Sequence, residues 1–541
     1  MLFKNLVSVL ATCAAAVSAA DLPALEIVGN KFFYSNNGSQ FLLKGVAYQQ
    51  NTANLSSTDN ATFVDPLADA KACARDVPYL AALETNVIRV YSLDVTQDHT
   101  ACMNLLQEAG IYVIADLSTP DLSINRDDPE WTVELYDRYT SVVDAFQNYT
   151  NILGFFAGNE VTNAVNNTNA SAFVKAAVRD TKAYIKSQGY RLIPVGYSAN
   201  DDIDIRLELA EYFACGSEDS AADFFGINMY SWCGTSATFK SSGYQNITEQ
   251  YANLGIPLFF SEYGCNLVQP RKFTDVGTIY SSEMTGVWSG AIVYMYFQEE
   301  NDYGLVTIGS NDKVTTLPDY SYLSVQIASV SPTLIKSAQA ANVTATTCPA
   351  IGANWQATTL LPPTPDKSAC ECMDESLSCV VDGSVSSDDY QSLFEYVCYH
   401  IDCSGINANG TSGDYGAYSP CSNQQRLNFV LDLYYKAQGS SSSACDFSGS
   451  ASLKSASTAG SCASVLSAAG ESGMGTVVPA STTKGSGSSG SASGSKASAS
   501  ASGSSTSTKL SGAIASYNLN IKYQVIVVAI SMVFGAGLVC L

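Results

Sequence analysis

Eight short apolar runs, each separated from the next by a longer amphipathic stretch, dominate the first 335 residues of this 541-residue chain. Most of the runs are continuously apolar, which is typical of parallel strands covered on both faces. They span residues 41–48, 87–91, 111–117, 152–157, 192–197, 224–230, 257–261 and 291–297. Eight strand–helix units in about 300 residues predict an α/β fold of the (β/α)8 TIM-barrel type for residues 20–335. An open doubly wound sheet is the alternative, but no Gly-x-Gly-x-x-Gly motif follows the first run.

Two of the apolar runs lead directly into a glutamate. The fourth run leads into Gly158-Asn159-Glu160, and the seventh leads into Ser261-Glu262-Tyr263-Gly264. Carboxylates at the carboxyl ends of barrel strands lie at the barrel mouth, where catalytic groups collect. Two facing carboxylates are the minimum machinery for cleaving a glycosidic bond. The alternative is that both glutamates are helix caps or acids of surface loops.

The charge balance excludes some partners. The chain has 50 acidic and 27 basic residues and a net charge of −23, so no basic surface is expected that could neutralise the phosphates of a nucleic acid. Its two histidines are His99 and His400. A histidine-based triad or a metal site with several histidines is therefore not expected.

The amino terminus predicts secretion. Residues 1–19 form a signal-peptide pattern, with Lys4 before an apolar stretch and small residues at 17–19. An oxidising compartment would let the fourteen cysteines other than Cys13 and Cys540 form seven disulfides. N-glycosylation is expected at several of nine Asn-x-Ser/Thr sites, at Asn37, Asn54, Asn60, Asn148, Asn166, Asn169, Asn246, Asn342 and Asn409.

Composition changes after the barrel. Residues 336–369 are predicted to be a linker or a segment that crosses the barrel. Residues 370–462 are a small module stabilised by disulfides, because its core is small and its cysteines are dense. Its eight cysteines are Cys370, Cys372, Cys379, Cys398, Cys403, Cys421, Cys445 and Cys462, and helical patterns cover 388–399 and 424–437.

The carboxyl-terminal part predicts a stalk and an anchor. Residues 463–511 are mostly Ser, Gly, Ala and Thr and are predicted to be disordered, either as an O-glycosylated stalk or as an unmodified linker. Small residues, a polar spacer and an apolar tail over 511–541 form the pattern of a glycosylphosphatidylinositol signal. Ser511 is the predicted attachment residue, with 512–541 removed, and a transmembrane tail is the alternative.

Together these motifs resemble one family. The two glutamate motifs, the eight-cysteine module, the Ser-rich stalk and the anchor signal, in this order, look like the fungal glycolipid-anchored β-1,3-glucanosyltransferases of glycoside hydrolase family 72 that carry an X8-type module. Residues 89–92, 228–233 and 294–299 also resemble this family. The resemblance implies an enzyme at the cell surface that cleaves β-1,3-glucan and transfers the fragment to another glucan chain. We expect it to act as a monomer.

The resemblance also implies roles for residues. Glu160 would be the acid/base and Glu262 the nucleophile of a retaining mechanism, with carboxyl groups roughly 5–5.5 Å apart. Glu160 must hold a proton while Glu262 is ionised, so their pKa values should be pushed apart. Asn159 would bind the sugar 2-hydroxyl. The family pattern pairs Cys73 with Cys102, Cys215 with Cys348 and Cys233 with Cys265. The two-carboxylate mechanism requires no metal or organic cofactor.

Further sugar contacts are expected from side chains at strand ends. A tyrosine offers a flat apolar face and a hydroxyl to a sugar ring, although core packing is as good an explanation for any one of them. Tyr294 and Tyr296 are predicted to share one face of the eighth strand. The complete set of candidates is Gln49, Tyr91, Asp116, Asn159, Asp201, Arg206, Tyr230, Tyr294, Tyr296 and Tyr303.

Three activities remain open from the sequence. The first is the transferase, the second is a hydrolytic β-1,3-glucanase in which water takes the glycosyl group, and the third is a non-catalytic wall-binding protein. The carboxylate pair is the same in the first two, so the motifs do not separate them. The two intact glutamates argue against the third.

Overall fold

The structure, a computed structural model, describes residues 22–50 and 63–477. The predicted signal peptide, the anchor signal with Ser511 and most of the predicted stalk lie outside the described residues, as do the glycosylation sites at Asn54 and Asn60. Six of the other seven predicted glycosylation sites have an exposed asparagine, and Asn169 is partly buried.

A short antiparallel sheet precedes the barrel and closes its amino-terminal end. Its strands are β1 (Leu25–Val28), β2 (Lys31–Tyr34) and β3 (Gln40–Phe41). Phe32 is fully buried, and its ring lies 6.1 Å from that of Phe224 and 6.3 Å from that of Phe259, next to the starts of two barrel strands. This apolar plug covers the end of the barrel that is opposite the two glutamates.

Eight parallel strands form a closed barrel, which confirms the predicted fold class. Each predicted apolar run overlaps one barrel strand, because the strands are buried on both faces. The strands are β4 (Leu43–Ala47), β5 (Val87–Val90), β6 (Tyr112–Asp116), β7 (Ile152–Asn159), β8 (Val195–Asn200), β9 (Phe225–Met229), β10 (Leu258–Tyr263) and β11 (Trp288–Val293). Strands β7, β8 and β10 extend two or three residues beyond their runs, and β11 starts three residues before its run and ends four residues before the run does.

Helices surround the barrel and bury one apolar face against it. In the longest of them, Phe173, Val174 and Val178 are buried. The helices are α1 (Ala70–Ala82), α2 (Thr100–Glu108), α3 (Val133–Phe146), α4 (Ser171–Ser187), α5 (Arg206–Ala214), α6 (Tyr244–Tyr251) and α7 (Val276–Ile279). A hairpin of β12 (Val306–Ile308) and β13 (Val314–Thr316) then leads into α8 (Pro318–Ser329).

The segment after α8 crosses the barrel surface and is not a free tether. Cys348 is disulfide-bonded to Cys215, and Trp355 is almost fully buried beside Tyr212, at a ring distance of 5.1 Å. The Tyr212 hydroxyl donates to the carbonyl of Thr358. Of the two possibilities for residues 336–369, the structure therefore has the crossing segment.

The cysteine-rich module is mainly helical and has its own core. It contains α9 (Lys367–Glu375), β14 (Cys379–Val381), α10 (Tyr390–His400), β15 (Ala408–Asn409), β16 (Asp414–Tyr415), α11 (Asn423–Ala437), β17 (Ala451–Leu453) and α12 (Ala463–Ala469). Four disulfides join its eight cysteines, 370 to 421, 372 to 462, 379 to 445 and 398 to 403.

The module extends beyond the boundary expected from the sequence. The prediction that the disordered stalk starts at residue 463 is wrong, because α12 follows at once and Ala469 is fully buried in the core of the module. The Ala417 amide also donates to the carbonyl of Gly473. Small residues suit this close packing, so a Ser/Ala-rich composition did not separate an ordered helix from the stalk.

The module is held against the barrel by direct contacts. The Val133 amide at the start of α3 donates to the carbonyl of Pro420, and Arg426 forms an ion pair with Glu130 at 2.6 Å. The turn between β15 and β16 packs on the barrel at Gly410, where a Cβ atom would lie 2.3 Å from the carbonyl oxygen of Asn169. The two units therefore form one packed body. Within residues 22–50 and 63–477, none of the helices has the length and apolarity needed to cross a membrane.

Candidate active site

Glu160 follows the last residue of β7 at the carboxyl-terminal mouth of the barrel. Its φ of +50° is in the left-handed region that non-glycine residues seldom adopt, and strain of this kind concentrates at functional sites. Two backbone contacts hold this conformation. The Glu160 amide donates to the carbonyl of Ser198, and Arg126 donates to the carbonyl of Glu160 at 2.6 Å. The side chain then accepts a hydrogen bond from Asn228 at 2.8 Å.

Glu262 lies inside β10 and is only 8% exposed. Three donors converge on its carboxylate. The hydroxyl of Tyr230 donates to Oε2 at 2.7 Å, while the hydroxyl of Tyr91 and the Arg89 guanidinium donate to Oε1 at 2.9 and 3.2 Å. Burial and the neighbouring Glu262 carboxylate raise the pKa of both phenols well above their usual value, so both remain donors.

The protonation of Glu262 differs from the expectation of a fully ionised nucleophile. Burial raises the pKa of Glu262 to about 7, and this outweighs the opposing effects of Arg89 and the two tyrosine hydroxyls. The nearby Glu160 carboxylate also contributes to this raised pKa. Below pH 7 a proton therefore resides partly on Glu262 in the substrate-free protein, and it must leave before this carboxylate can attack.

Arg89 is the centre of the site, although the sequence did not single it out as a functional residue. It lies in β5, is fully buried, and packs between the rings of Tyr91 and Phe156 at 4.4 and 4.5 Å. Its two-point ion pair with Asp116 fixes the guanidinium, which also donates to Asn159 at 3.0 Å. An arginine in the middle of a strand buried on both faces was the available signal, because such a charge is retained only with partners.

Asn228 is a second functional residue that sequence reasoning missed. Its side-chain amide donates to Glu160 at 2.8 Å and to Asn159 at 3.2 Å. Its carbonyl oxygen accepts from the hydroxyls of Ser198 and Ser261 at 3.2 and 2.8 Å. The two hydroxyls hold the Asn228 side chain with its NH2 group towards Glu160, so this asparagine positions the carboxylate.

Four tyrosines form an aromatic wall beside Glu262, which we call the tyrosine wall. They are Tyr91, Tyr230, Tyr294 and Tyr303, and their rings contact one another edge to face at centroid distances of 5.2 to 6.4 Å. All four were candidates from the sequence. Their position next to the carboxylate favours sugar contact over core packing alone.

Tyr296 does not belong to this wall. Strand β11 ends at Val293, so the prediction that Tyr294 and Tyr296 share a strand face is wrong. Tyr296 is fully buried, and its hydroxyl donates to Asp76, which also accepts from Tyr48. Its ring therefore supports the packing between the barrel and α1.

Gln49 and Asp116 are buried and act through neighbouring residues. The Gln49 carbonyl oxygen accepts from the amides of Tyr91 and Ser92, both at 3.1 Å, and its NH2 group donates to the carbonyls of Gln50 and Val64. Its polar atoms are thus engaged in holding the backbone that carries Tyr91. Asp116 is engaged with Arg89.

Asp201 and Arg206 form a separate group at the end of β8. Arg206 donates to Asp201 at 2.8 Å, and its other nitrogens donate to Asn246 and Gln250 of α6. This group is not part of the hydrogen-bond network around Glu160 and Glu262. The structure therefore brings together Tyr91, Asn159, Tyr230, Tyr294 and Tyr303 with the two glutamates.

A disulfide links the two loops that lead away from the site. Cys233 follows Tyr230, Cys265 follows Glu262, and the structure joins them, so the strands that carry these two side chains are connected just beyond the site. The structure also contains the disulfides between Cys73 and Cys102 and between Cys215 and Cys348. These are the three pairs that the family resemblance implied for the barrel.

Comparison with known proteins places this arrangement in a family. Residues 14–331 match the family model described as glucanosyltransferase, glycoside hydrolase family 72. The chain belongs to this family. Residues 377–452 match the X8 domain, within the cysteine-rich module.

Named relatives cover most of the chain. Protein EPD1 of Candida maltosa is 66% identical over 469 residues, which are 86% of this chain and 84% of the relative. The 1,3-beta-glucanosyltransferase gas1 of Schizosaccharomyces pombe is 54% identical over 460 residues, or 84% and 83% of the two chains.

A solved structure of a family member has the same fold. It is a glutamate-to-glutamine variant of Saccharomyces cerevisiae Gas2p in complex with laminaritetraose and laminaripentaose. The TM-score is 0.74 at 46% sequence identity, and the match covers 83% of this chain and 98% of that one.

Proposed function

We propose that this chain is a retaining 1,3-β-glucanosyltransferase that elongates one β-1,3-glucan chain with a fragment of another. Membership of the glucanosyltransferase family supports the activity. The observation that carries the proposal is the environment of Glu262, a carboxylate held by three donors beside Glu160 and the tyrosine wall.

In the first step, ionised Glu262 attacks the anomeric carbon of a glucan while Glu160 protonates the leaving oxygen. The glycosidic C–O bond breaks, a C–O bond to Glu262 forms, and the reducing-end fragment leaves with a hydroxyl. In the second step, the hydroxyl at the non-reducing end of another glucan attacks the same carbon and gives its proton to Glu160. Glu262 is released, and the new linkage has the original stereochemistry.

The choice between transfer and hydrolysis depends on the acceptor. A sugar hydroxyl outcompetes water if the site holds it in line with the anomeric carbon, since good orientation provides effective molarities of ~10⁵ M or more. The tyrosine wall lies directly beside Glu262 and offers flat rings on which an acceptor sugar can stack. Asn159 accepts hydrogen bonds from Arg89 and Asn228, and this fixed side chain would contact the 2-hydroxyl of the donor sugar.

Conservative variants of the two glutamates test the assignment. E160Q and E262Q should each abolish turnover of a laminari-oligosaccharide, while both variants are still secreted and still unfold in a single cooperative thermal transition. E283Q, at an exposed position outside the network, is the matched control and should keep full activity. Substantial turnover by either active-site variant would falsify the two-carboxylate assignment.

We also propose where the enzyme acts. The signal peptide, the disulfides and the anchor pattern support attachment to the outer face of the plasma membrane or to the cell wall through Ser511. Truncation after Gly512 should release the protein into the medium, since the anchor signal is then absent. Retention of the truncated chain on membranes would contradict this proposal.

A further inference from the structure

Arg271 is a buried arginine next to the tyrosine wall, in the loop between β10 and α7. Its guanidinium donates to the carbonyl of Tyr294 at 2.6 Å and to that of Tyr303 at 2.5 Å. It also donates to the carbonyl of Gly264, just after Glu262 in the chain, at 3.2 Å. Tyr294 directly follows β11, and Tyr303 lies between β11 and β12. One side chain therefore joins the backbone segments that carry two rings of the wall and the nucleophile.

The orientation of this guanidinium is set from outside the wall. Asp319, in the first turn of α8, accepts from Nε of Arg271 at 2.6 Å and from the Arg271 backbone amide at 3.1 Å. The side chains of both residues are buried. A buried charge is costly unless it is paired and its remaining donors are satisfied, and here the carboxylate and the three carbonyls meet both conditions. Helix α8 thus fixes Arg271, and Arg271 fixes the two loops.

The backbone around Arg271 is shaped to admit the guanidinium. The rings of Phe273 and Tyr303 lie 4.8 and 5.6 Å from its central carbon. Gly264 has a φ of +112°, and a Cβ atom at this position would lie 3.1 Å from Nη1 of Arg271 and 3.3 Å from the Phe273 ring. A residue with a side chain would be strained in this conformation and would crowd the guanidinium, so glycine at position 264 permits the close approach.

We propose that Arg271, fixed by Asp319, is a positioning residue that sets the balance between transfer and hydrolysis. This inference rests on the proposed function and adds to it the residue that holds part of the acceptor surface. The hydroxyls of Tyr91 and Tyr230 are bonded to Glu262, whereas the backbones of Tyr294 and Tyr303 are held by Arg271. The hydrogen bonds described for the Arg271 side chain go to three carbonyls and to Asp319, so it acts on the wall and not on the two catalytic carboxylates.

A loosened wall affects a sugar acceptor more than it affects water. The acceptor hydroxyl outcompetes water only while the sugar that carries it is held in line with the anomeric carbon, and small displacements lose much of that advantage. Water needs no such surface. The leaving fragment of the first step occupies the same side of Glu262 as the acceptor of the second step. Loss of the Arg271 contacts therefore lowers the share of transfer products and also raises the KM for the donor.

The products that R271K forms from a reduced laminari-oligosaccharide test this proposal. Lysine keeps the charge but has a single nitrogen, which does not bridge three carbonyls. In R271K the ratio of transfer to hydrolysis products should fall about tenfold at a temperature below the melting transition. The matched control is R191K, because Arg191 donates to the carbonyls of Tyr149 and Ile152 at the opposite end of the barrel. This control should lose stability and keep the product ratio.

A second variant and a second readout complete the test. D319N should lower the product ratio in the same direction, and R271K/D319N should lower it no further than R271K alone, because both residues act through one contact. Lower stability with an unchanged product ratio in R271K and D319N would overturn the proposal and leave Arg271 a purely structural residue.

Failure of the proposed function gives a different result. If the wild type makes no transfer products, the chain is a hydrolase, and the role of Arg271 is then measured by the KM for hydrolysis. R271K should raise that KM about tenfold relative to R191K, with a smaller change in kcat, because the leaving fragment contacts the same rings. An unchanged KM in that case would overturn the positioning role as well.

Discussion

At the residue scale, the chemistry depends on how the proton is shared between two glutamates. Three donors favour the ionised form of Glu262 and burial opposes it. Because burial prevails in the substrate-free protein, the kcat/KM of the enzyme should fall on the acid side as Glu262 takes up a proton. We expect this limb to lie above pH 4.5, the ordinary range of a glutamate, and to extend towards 7.

The Y230F variant tests this directly. It removes the hydroxyl that donates to Oε2 of Glu262, a hydrogen bond that lowers the pKa of that carboxylate. The pKa of Glu262 therefore rises, the acid limb of kcat/KM moves to higher pH, and the rate at the optimum falls about tenfold. Y149F, whose hydroxyl contacts Thr100 instead, should leave the pH profile unchanged. An acid limb that stays in place in Y230F would contradict this description of Glu262.

Stability should show the same raised pKa. A glutamate whose pKa is higher in the folded protein than in the unfolded chain favours the fold below pH 4.5, and this contribution is lost as pH rises through about 7. Compared with the wild type, E262Q should gain stability across this interval, by about 3 kcal/mol at most. Thermal transitions of both proteins between pH 4 and 8 measure the difference. A difference between the two thermal transitions that does not change with pH would argue against the raised pKa of Glu262.

At the scale of elements, the disulfide from Cys233 to Cys265 connects the ends of β9 and β10, which carry Tyr230 and Glu262. The bond from Cys73 to Cys102 connects two outer helices and encloses a similar length of chain, 29 against 32 residues. The entropic stabilisation by a disulfide depends on the length of chain that it encloses. Replacing either pair with serine should therefore lower the free energy of unfolding by a similar amount, about 2–4 kcal/mol.

Only the loss of the disulfide between Cys233 and Cys265 should affect catalysis. At temperatures below the melting transition, the kcat of C233S/C265S should be about tenfold lower than that of the wild type, since small displacements of reacting groups are costly. In C73S/C102S the folded fraction should keep its kcat. Unfolding curves and kcat measured at the same temperature give both quantities. Equal kcat in the two variants would mean that the site does not depend on the loop connection.

The strands were predictable from the sequence, but part of the site was not. Apolar runs mark strands because burial on both faces leaves little choice of residue, and the carboxyl end of each strand then locates Glu160 and Glu262. Arg89 and Asn228 function by joining β5, β7, β9 and β10, and contacts among distant strands leave no local pattern. Tyr296 was misassigned because its direction depends on β11 ending at Val293.

At the scale of the whole molecule, the barrel and the cysteine-rich module pack against each other across a shared interface. Deleting residues 367–477 would expose Val133 and leave Glu130 without Arg426. We therefore expect a lower secretion yield and weaker binding to glucan particles, with cleavage of the same bond. Yield, particle binding and product linkage of the truncated enzyme are the measurements. Full yield together with full affinity would leave the module without a role.

The product distribution from a reduced laminari-oligosaccharide tests the central claim most directly. At millimolar substrate, the wild type should release products both shorter and longer than the input, and the new linkages in the longer ones should be β-1,3. Y230A or Y294A should lower the rate or shift the ratio towards hydrolysis, because the tyrosine wall then no longer orients the acceptor. If the wild type releases only shorter products, the chain is a hydrolase and the proposed transferase function is wrong.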